Sequence, residues 1–182
     1  MKPRAEAGDA GFTLLELMIS LGLFALIAVA GLALVEGIIK VQDRTEQRFD
    51  RLADLQRAMF VLSSDLDQIA RGPVSGTAAD IAFSRTAPAI GGASVPVRYS
   101  LANGNLVRVA GPVPQALLSG VAGVRWRFWD RGWSDRWPLD DKRRDQWPQA
   151  IEVEMQAIGP GGVPGTLRRV VTLPIQAQEP AK

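Results

Sequence analysis

Residues 17–35 run for nineteen positions without a charged side chain. As a helix this is about 28 Å at 1.5 Å per residue, close to the thickness of a bilayer's hydrocarbon core. A core helix of a globular domain shows a polar face, whereas this stretch is apolar around its whole circumference. Extending it back to Phe12 and forward through Gly37, Ile38 and Ile39 makes it long enough to span, with Glu16 near one end and Glu36 near the other. A carboxylate in hydrocarbon carries a large desolvation cost. Glu16 therefore needs a protonated amine beside it in a helix bundle, or a place at the headgroup layer where it is neutralised or snorkels.

The polar stretch ahead of the run, MKPRAEAGDAG, is followed at once by FTLLELMISLGLFALIAVAG. One reading is a secretory signal peptide with Ala28-Val29-Ala30 as its cleavage site, releasing an envelope binding module that begins at Gly31. Against it stand Glu16 inside the apolar segment and five further residues of unchanged apolar texture after Ala30. A plain signal-anchor explains the length but neither Glu16 nor the Gly11 boundary.

Gly11-Phe12-Thr13-Leu14-Leu15-Glu16 and the long apolar helix behind it resemble the type IV pilins and type II secretion pseudopilins. The resemblance implies that a membrane-embedded prepilin peptidase cuts after Gly11 and that the new N-terminal Phe12 is methylated. It also implies that Glu16 pairs with the terminal amine of a neighbouring subunit during assembly. The expected organisation is a leader over 1–11, a transmembrane and assembly half-helix over 12–39, a periplasmic amphipathic half-helix over 40–71 and a β-rich head over 72–182. Lys2 and Arg4 in the leader are cancelled by Glu6 and Asp9, so the positive-inside bias is weaker than is usual for a cytoplasmic leader.

After Ile39 the composition changes. Residues 40–71 carry six basic and six acidic side chains and no Gly or Pro. Leu52, Leu55, Met59, Leu62, Leu66 and Ile69 step by three and four, one stripe of a helix that can dock on the chain's own sheet, on a neighbouring helix, or on both by different faces. Phe49, Phe60 and Val61 lie off that stripe and widen the apolar surface. Arg51 is spaced to meet Asp54, and Asp54 to meet Arg57. Gly72-Pro73 is expected to end the helix, which then runs from Phe12 to about Arg71.

The rest reads as strands. Residues 80–85 form a short edge strand, and 97–110 form a hairpin turning at Asn103-Gly104. The apolar stretch 117–121 leads into a strand over 124–130, where Val124, Trp126 and Phe128 alternate with Arg125 and Arg127 and Trp129 breaks the pattern. Ile151, Val153 and Met155 alternate with Glu152, Glu154 and Gln156, and after the Gly-rich turn at 159–165 a last strand carries Leu167, Val171, Leu173 and Ile175. The fold class is α+β, type IV pilin-like, a long N-terminal helix spine packed against a small, mostly antiparallel β domain.

The chain has no His and no Cys, which excludes thiol chemistry and histidine-ligated metals, and its serines lack a neighbouring base in any recognisable motif. No catalytic residue, metal or cofactor is expected. The loop GPGGVPGT lacks the Lys of a phosphate loop and reads as a strand connection. In residues 130–147 five acids interleave with five bases, which opposes calcium binding. A net charge of +2 is too balanced for a nucleic-acid binder. Five Trp fall within twenty-two residues. Trp126 is expected in the core, and Trp137 and Trp147 are expected to pin a loop. Trp129 and Trp133, with Arg131 and Arg136 as polar anchors, form a candidate partner surface.

The stretch RLADLQRAMFVLSSDLDQIARGP and the Trp-rich segment 126–138 resemble, within that family, the J-type minor pseudopilin of type II secretion. This implies a noncatalytic subunit anchored once in the bacterial inner membrane, its C-terminal domain in the periplasm. Its expected partners are the prepilin peptidase, the I-type and K-type minor pseudopilins, the major pseudopilin and the inner-membrane secretion platform. With the I-type and K-type subunits it would form a tip complex that primes the pseudopilus for export of folded exoproteins. The alternative within the same structural class is a minor pilin that primes a type IV pilus.

Overall fold

The computed structural model describes residues 13–87 and 94–176. The expectations for Gly11 and Phe12 fall outside the described residues. The chain divides into two units, Met1–Glu46 and Gln47–Lys182. Helix α1, Leu14–Asp67, contributes its first part to one and its last part to the other.

In the first unit the helix begins where the Thr13 hydroxyl accepts a bond from the Glu16 backbone N–H at 3.3 Å. Thr13-x-x-Glu16 has the spacing of a capping box, of which the bond from the Glu16 N–H to the Thr13 hydroxyl is formed. Every described residue of this unit is exposed. The helix holds one stretch long and apolar enough to cross a membrane, with none of it covered by the chain itself.

In the second unit the helix carries Leu55, Ala58, Leu62 and Leu66 into the core, while Leu52 stays 41% exposed and Met59 is half-buried. The helix ends at Asp67, four residues before the expected stop. Beyond it the backbone turns to the sheet: Ala70 N–H donates to Ser84 and Thr86 N–H to Gln68, and Ile69 bridges Arg85. Pairing with a strand edge competes with further helix and supplies the terminal carbonyl of Gln68 with a donor. Ile69 therefore joins the core from an extended segment rather than from the helix. Arg51 does not pair with Asp54. Its guanidinium reaches across to the carbonyls of Ile158 at 2.7 Å and Ser119 at 2.8 Å, tying the helix to the ends of two strands.

Among the described residues nine strands form two antiparallel sheets. The first contains β1 (Ser75–Gly76), β2 (Asp80–Arg85), β3 (Val95–Ala102), β4 (Asn105–Val109) and β5 (Gln115–Ser119) in sequential order. The second contains β6 (Val121–Trp129), β7 (Trp133–Ser134), β8 (Ala150–Ile158) and β9 (Pro164–Thr172), ordered β7-β6-β8-β9. The β3–β4 hairpin turns at Asn103 (φ 51°) and Gly104 (φ 71°), two positive φ values in succession, which is the turn that matches strand twist. β5 was expected only as a lead-in to the following strand. The last strand sits three residues earlier than expected, over Pro164–Thr172.

Gly76 is fixed by packing. A Cβ there would lie 2.6 Å from the ring of Phe128 and 2.7 Å from the Asp80 carbonyl. Trp126, Phe128, Tyr99, Ile81, Leu106, Ile151 and Met155 are fully buried between the helix and the sheets.

Candidate functional site

The strand registers decide which side chains share a face. Val124, Trp126 and Phe128 lie opposite Met155, Val153 and Ile151, all on the core side of the second sheet. Arg125, Arg127 and Trp129 lie opposite Glu154, Glu152 and Ala150 on the other side. Trp129 thus continues the alternation rather than breaking it. Its partner across the short β6–β7 ladder is Trp133, so a four-residue spacing in sequence becomes a direct cross-strand pair. The two indoles stand 5.2 Å apart at 60°. With Gln149, Ala150 and Thr172 they line an open cleft of about 390 Å³.

The sequence-assigned anchors fall elsewhere. Arg131 is exposed in the turn at φ 60°, and Arg136 lines a separate recess with Ser75, Thr77, Asp80, Arg98 and Trp137. The cation beside the aromatic pair is Arg127, 5.2 Å from the Trp133 ring centroid. Alternation along β6 was the signal that would have found it, since residues 127 and 129 must share a face.

On the same face Arg125 grips Asp135 at 2.9 Å, and its hydrogen bonds hold the Asp135 carboxyl below the usual carboxylate range. Glu152, only 1% exposed, accepts from Arg168 at 2.7 Å and from Arg127 at 3.4 Å. Two guanidiniums thereby cover an acid that would otherwise face solvent. Trp137 and Trp147 do pin the intervening loop: their indole N–H groups donate to the Gln146 carbonyl at 2.9 Å and the Gly72 carbonyl at 2.8 Å. Arg143, paired with Asp130, and Asp140, which caps the short turn over Asp141–Arg143, use up charges of the loop internally.

A second buried acid lies under the first sheet. Asp65 projects from α1 at 1% exposure and meets Tyr99, Arg85 and Arg108, which all point from the helix-facing side of β2, β3 and β4. The Tyr99 hydroxyl donates to it at 2.7 Å, Arg108 donates twice at 2.5 and 3.0 Å, and Arg85 completes the set. Burial, then the neighbouring Asp65 charge, pushes the Tyr99 hydroxyl well above the usual phenol range. This is a clasp between helix and sheet with every Asp65 oxygen satisfied. Among the described residues no group of three or more acidic, His or Cys side chains is placed to hold a metal ion.

Two family models match the chain. The prokaryotic N-terminal methylation motif covers residues 7–32, and type II secretion system (T2SS), protein J covers residues 33–167. A Type II secretion system protein J of Escherichia coli is 30% identical over 136 residues, 72% of this chain and 65% of that protein. The Type II secretion system protein J of Vibrio cholerae serotype O1 is 34% identical over 61 residues, 34% of this chain and 28% of that protein. The chain spans less than two thirds of the length of these relatives. The single apolar helix and the β-rich unit after it match the topology of an inner-membrane, single-pass protein with a periplasmic C-terminal domain. The methylation motif, the long helix and the two antiparallel sheets all belong to one noncatalytic, pilin-like architecture, and the chain is a member of the type II secretion system protein J family.

Proposed function

We propose that this chain is a minor pseudopilin that joins the I-type and K-type minor pseudopilins in a tip complex and primes pseudopilus assembly for the export of folded exoproteins. The observation that carries the reading is the helix of the first unit, apolar through its spanning stretch and exposed at every described position. Lipid covers such a surface before assembly, and the helices of neighbouring subunits cover it afterwards, so the protein is built to change surroundings rather than to turn over a substrate. Prepilin peptidase removes residues 1–11, Phe12 is methylated, and Glu16 receives the amine of an adjacent subunit. The major pseudopilin and the inner-membrane platform are the remaining partners.

Intact-mass and N-terminal analysis of protein extracted from a membrane with an active peptidase is expected to show Phe12 as a methylated first residue. A mature end at Gly31 would instead mark signal-peptide cleavage and overturn the reading. In the same preparation the I-type and K-type subunits should copurify with the full chain.

The Trp129–Trp133 cleft is the contact surface we assign to one of these partners. Trp133 is half-buried and belongs to a two-residue edge strand, so its loss leaves the core intact. Trp133→Ala is expected to weaken tip-complex association by about thirtyfold, the effect of losing a 2 kcal/mol hot spot, with the thermal midpoint of the chain unchanged. Unaltered association by a folded variant would remove the cleft from the interface.

A further inference from the structure

The two sheets expose four edges, and three of them are blunted. β1 and β7 are two residues long, Gly76 of β1 already exchanges backbone bonds with Trp137 at 2.9 and 3.0 Å, and the part of β6 that β7 does not reach gives its Trp126 N–H to the Ala78 carbonyl at 2.9 Å. β5 follows Pro112 and Pro114, pairs with β4 through a register shift, and has its last carbonyl, that of Ser119, occupied by Arg51. These are the ordinary devices that keep a sheet from recruiting another strand.

β9 has none of the backbone devices. It runs nine residues in unbroken register against β8, with its only proline at the first position. Among the described residues, no backbone group from Gly165 to Thr172 bonds away from β8. The register also fixes its side chains. Thr166, Arg168 and Val170 lie opposite Gln156, Glu154 and Glu152 on the outer face, and Leu167, Arg169 and Val171 lie opposite Met155, Val153 and Ile151 on the core face. Val170 is 44% exposed. Arg168 is committed to Glu152, whereas Arg169 is exposed and has no hydrogen-bond or ion-pair partner among the described residues.

We propose that β9 is a strand-addition site for an extended segment of a different protein, one that carries an acidic side chain opposite Arg169 and an apolar one opposite Val170. The backbone supplies the pairing, and the charge supplies the choice of partner. A second copy of this chain is disfavoured. Antiparallel self-pairing about the centre of the strand sets Arg168 against Arg168, and like charges directly opposite are destabilising. An inward-pointing Arg on an otherwise open edge therefore acts as a filter rather than a block. The inference stands apart from the tip-complex reading, since the edge is a property of the folded head whichever assembly takes up the chain.

The test is hydrogen exchange on the detergent-solubilised full chain with a short capped peptide that alternates Val and Glu. Binding is expected to slow exchange about tenfold at alternate amides between Gly165 and Thr172 and at no other strand. The same peptide with alternate backbone nitrogens methylated should give no protection, and a Val–Lys peptide should protect weakly. Arg169→Glu should reverse that preference, losing the Glu peptide and gaining the Lys one. No protection of β9 by the Glu peptide overturns the proposal. So does protection that survives backbone methylation, or equal protection by the Glu and Lys peptides on the unsubstituted chain.

Discussion

Asp65→Ala is expected to cost the head about 3–5 kcal/mol, the range for removing one partner of a buried ion pair. The Coulomb energy lost is the smaller part of this. Asp65 is 1% exposed, and its removal leaves the Arg108 guanidinium, 11% exposed, and that of Arg85, 18% exposed, without a counter-charge, and the Tyr99 hydroxyl without its acceptor. Water reaches this position poorly because Tyr99 itself is fully buried, between Phe83 and Trp126. Urea unfolding of the detergent-solubilised full chain, followed by Trp fluorescence, reads the change. Asp65→Asn should fall between the variant and the wild type, since an amide oxygen still accepts from Tyr99 while the charge is gone. Arg85→Gln should cost less than either, because Arg108 retains both of its bonds. The same cluster gives the head an alkaline limit. Tyr99 holds its proton more tightly folded than unfolded, so stability declines as pH rises above the free phenol's value near 10. An Asp65→Ala midpoint within about 0.5 kcal/mol of wild type would show that the clasp does not hold helix to sheet.

That clasp is the part of the molecule least visible in the sequence. Asp65 sits among twelve charged residues of residues 40–71, and nothing local separates it from the five acids beside it that face solvent. Its partners are 20, 34 and 43 residues away, so its role exists only once β2, β3 and β4 are in register. The legible features are local and periodic. The stripe through Leu55, Leu62 and Leu66 follows from a 3.6-residue repeat, and the Asn103-Gly104 turn follows from two residues that tolerate positive φ. Both patterns are set by neighbours in sequence and need no long-range contact. The helix stop was misread because Gly72-Pro73 is a strong punctuation mark, whereas the event that ends the helix is pairing of residues 68–70 with β2. The Trp surface was half legible: Trp129 and Trp133 come together, but their cation is Arg127, chosen by strand alternation, and not Arg131 or Arg136, chosen by nearness in sequence.

Glu16→Gln is expected to abolish recruitment into the pseudopilus while leaving membrane insertion and head stability untouched. The argument turns on which state each charge occupies. In the lipid-embedded precursor state a carboxylate one turn into the apolar helix is a liability, and an amide of the same size is cheaper to hold there. In the helix bundle proposed above the relation inverts. The amine of the neighbouring Phe12 enters hydrocarbon with its counter-charge gone, and an uncompensated buried charge costs about 3–5 kcal/mol, a factor of a hundred or more in occupancy. Thr13 and the Glu16 backbone still form the first turn, since that bond runs from the Glu16 N–H to the Thr13 hydroxyl and does not involve the carboxylate. The substitution therefore separates capping from assembly. Quantifying the full-length variant in sheared pseudopili against membrane fractions, beside Glu16→Asp, checks it. Asp keeps the charge on a shorter stem and should recover part of the incorporation, whereas Gln should recover none. Wild-type incorporation and export by Glu16→Gln would show that the Glu16 carboxylate takes no part in assembly.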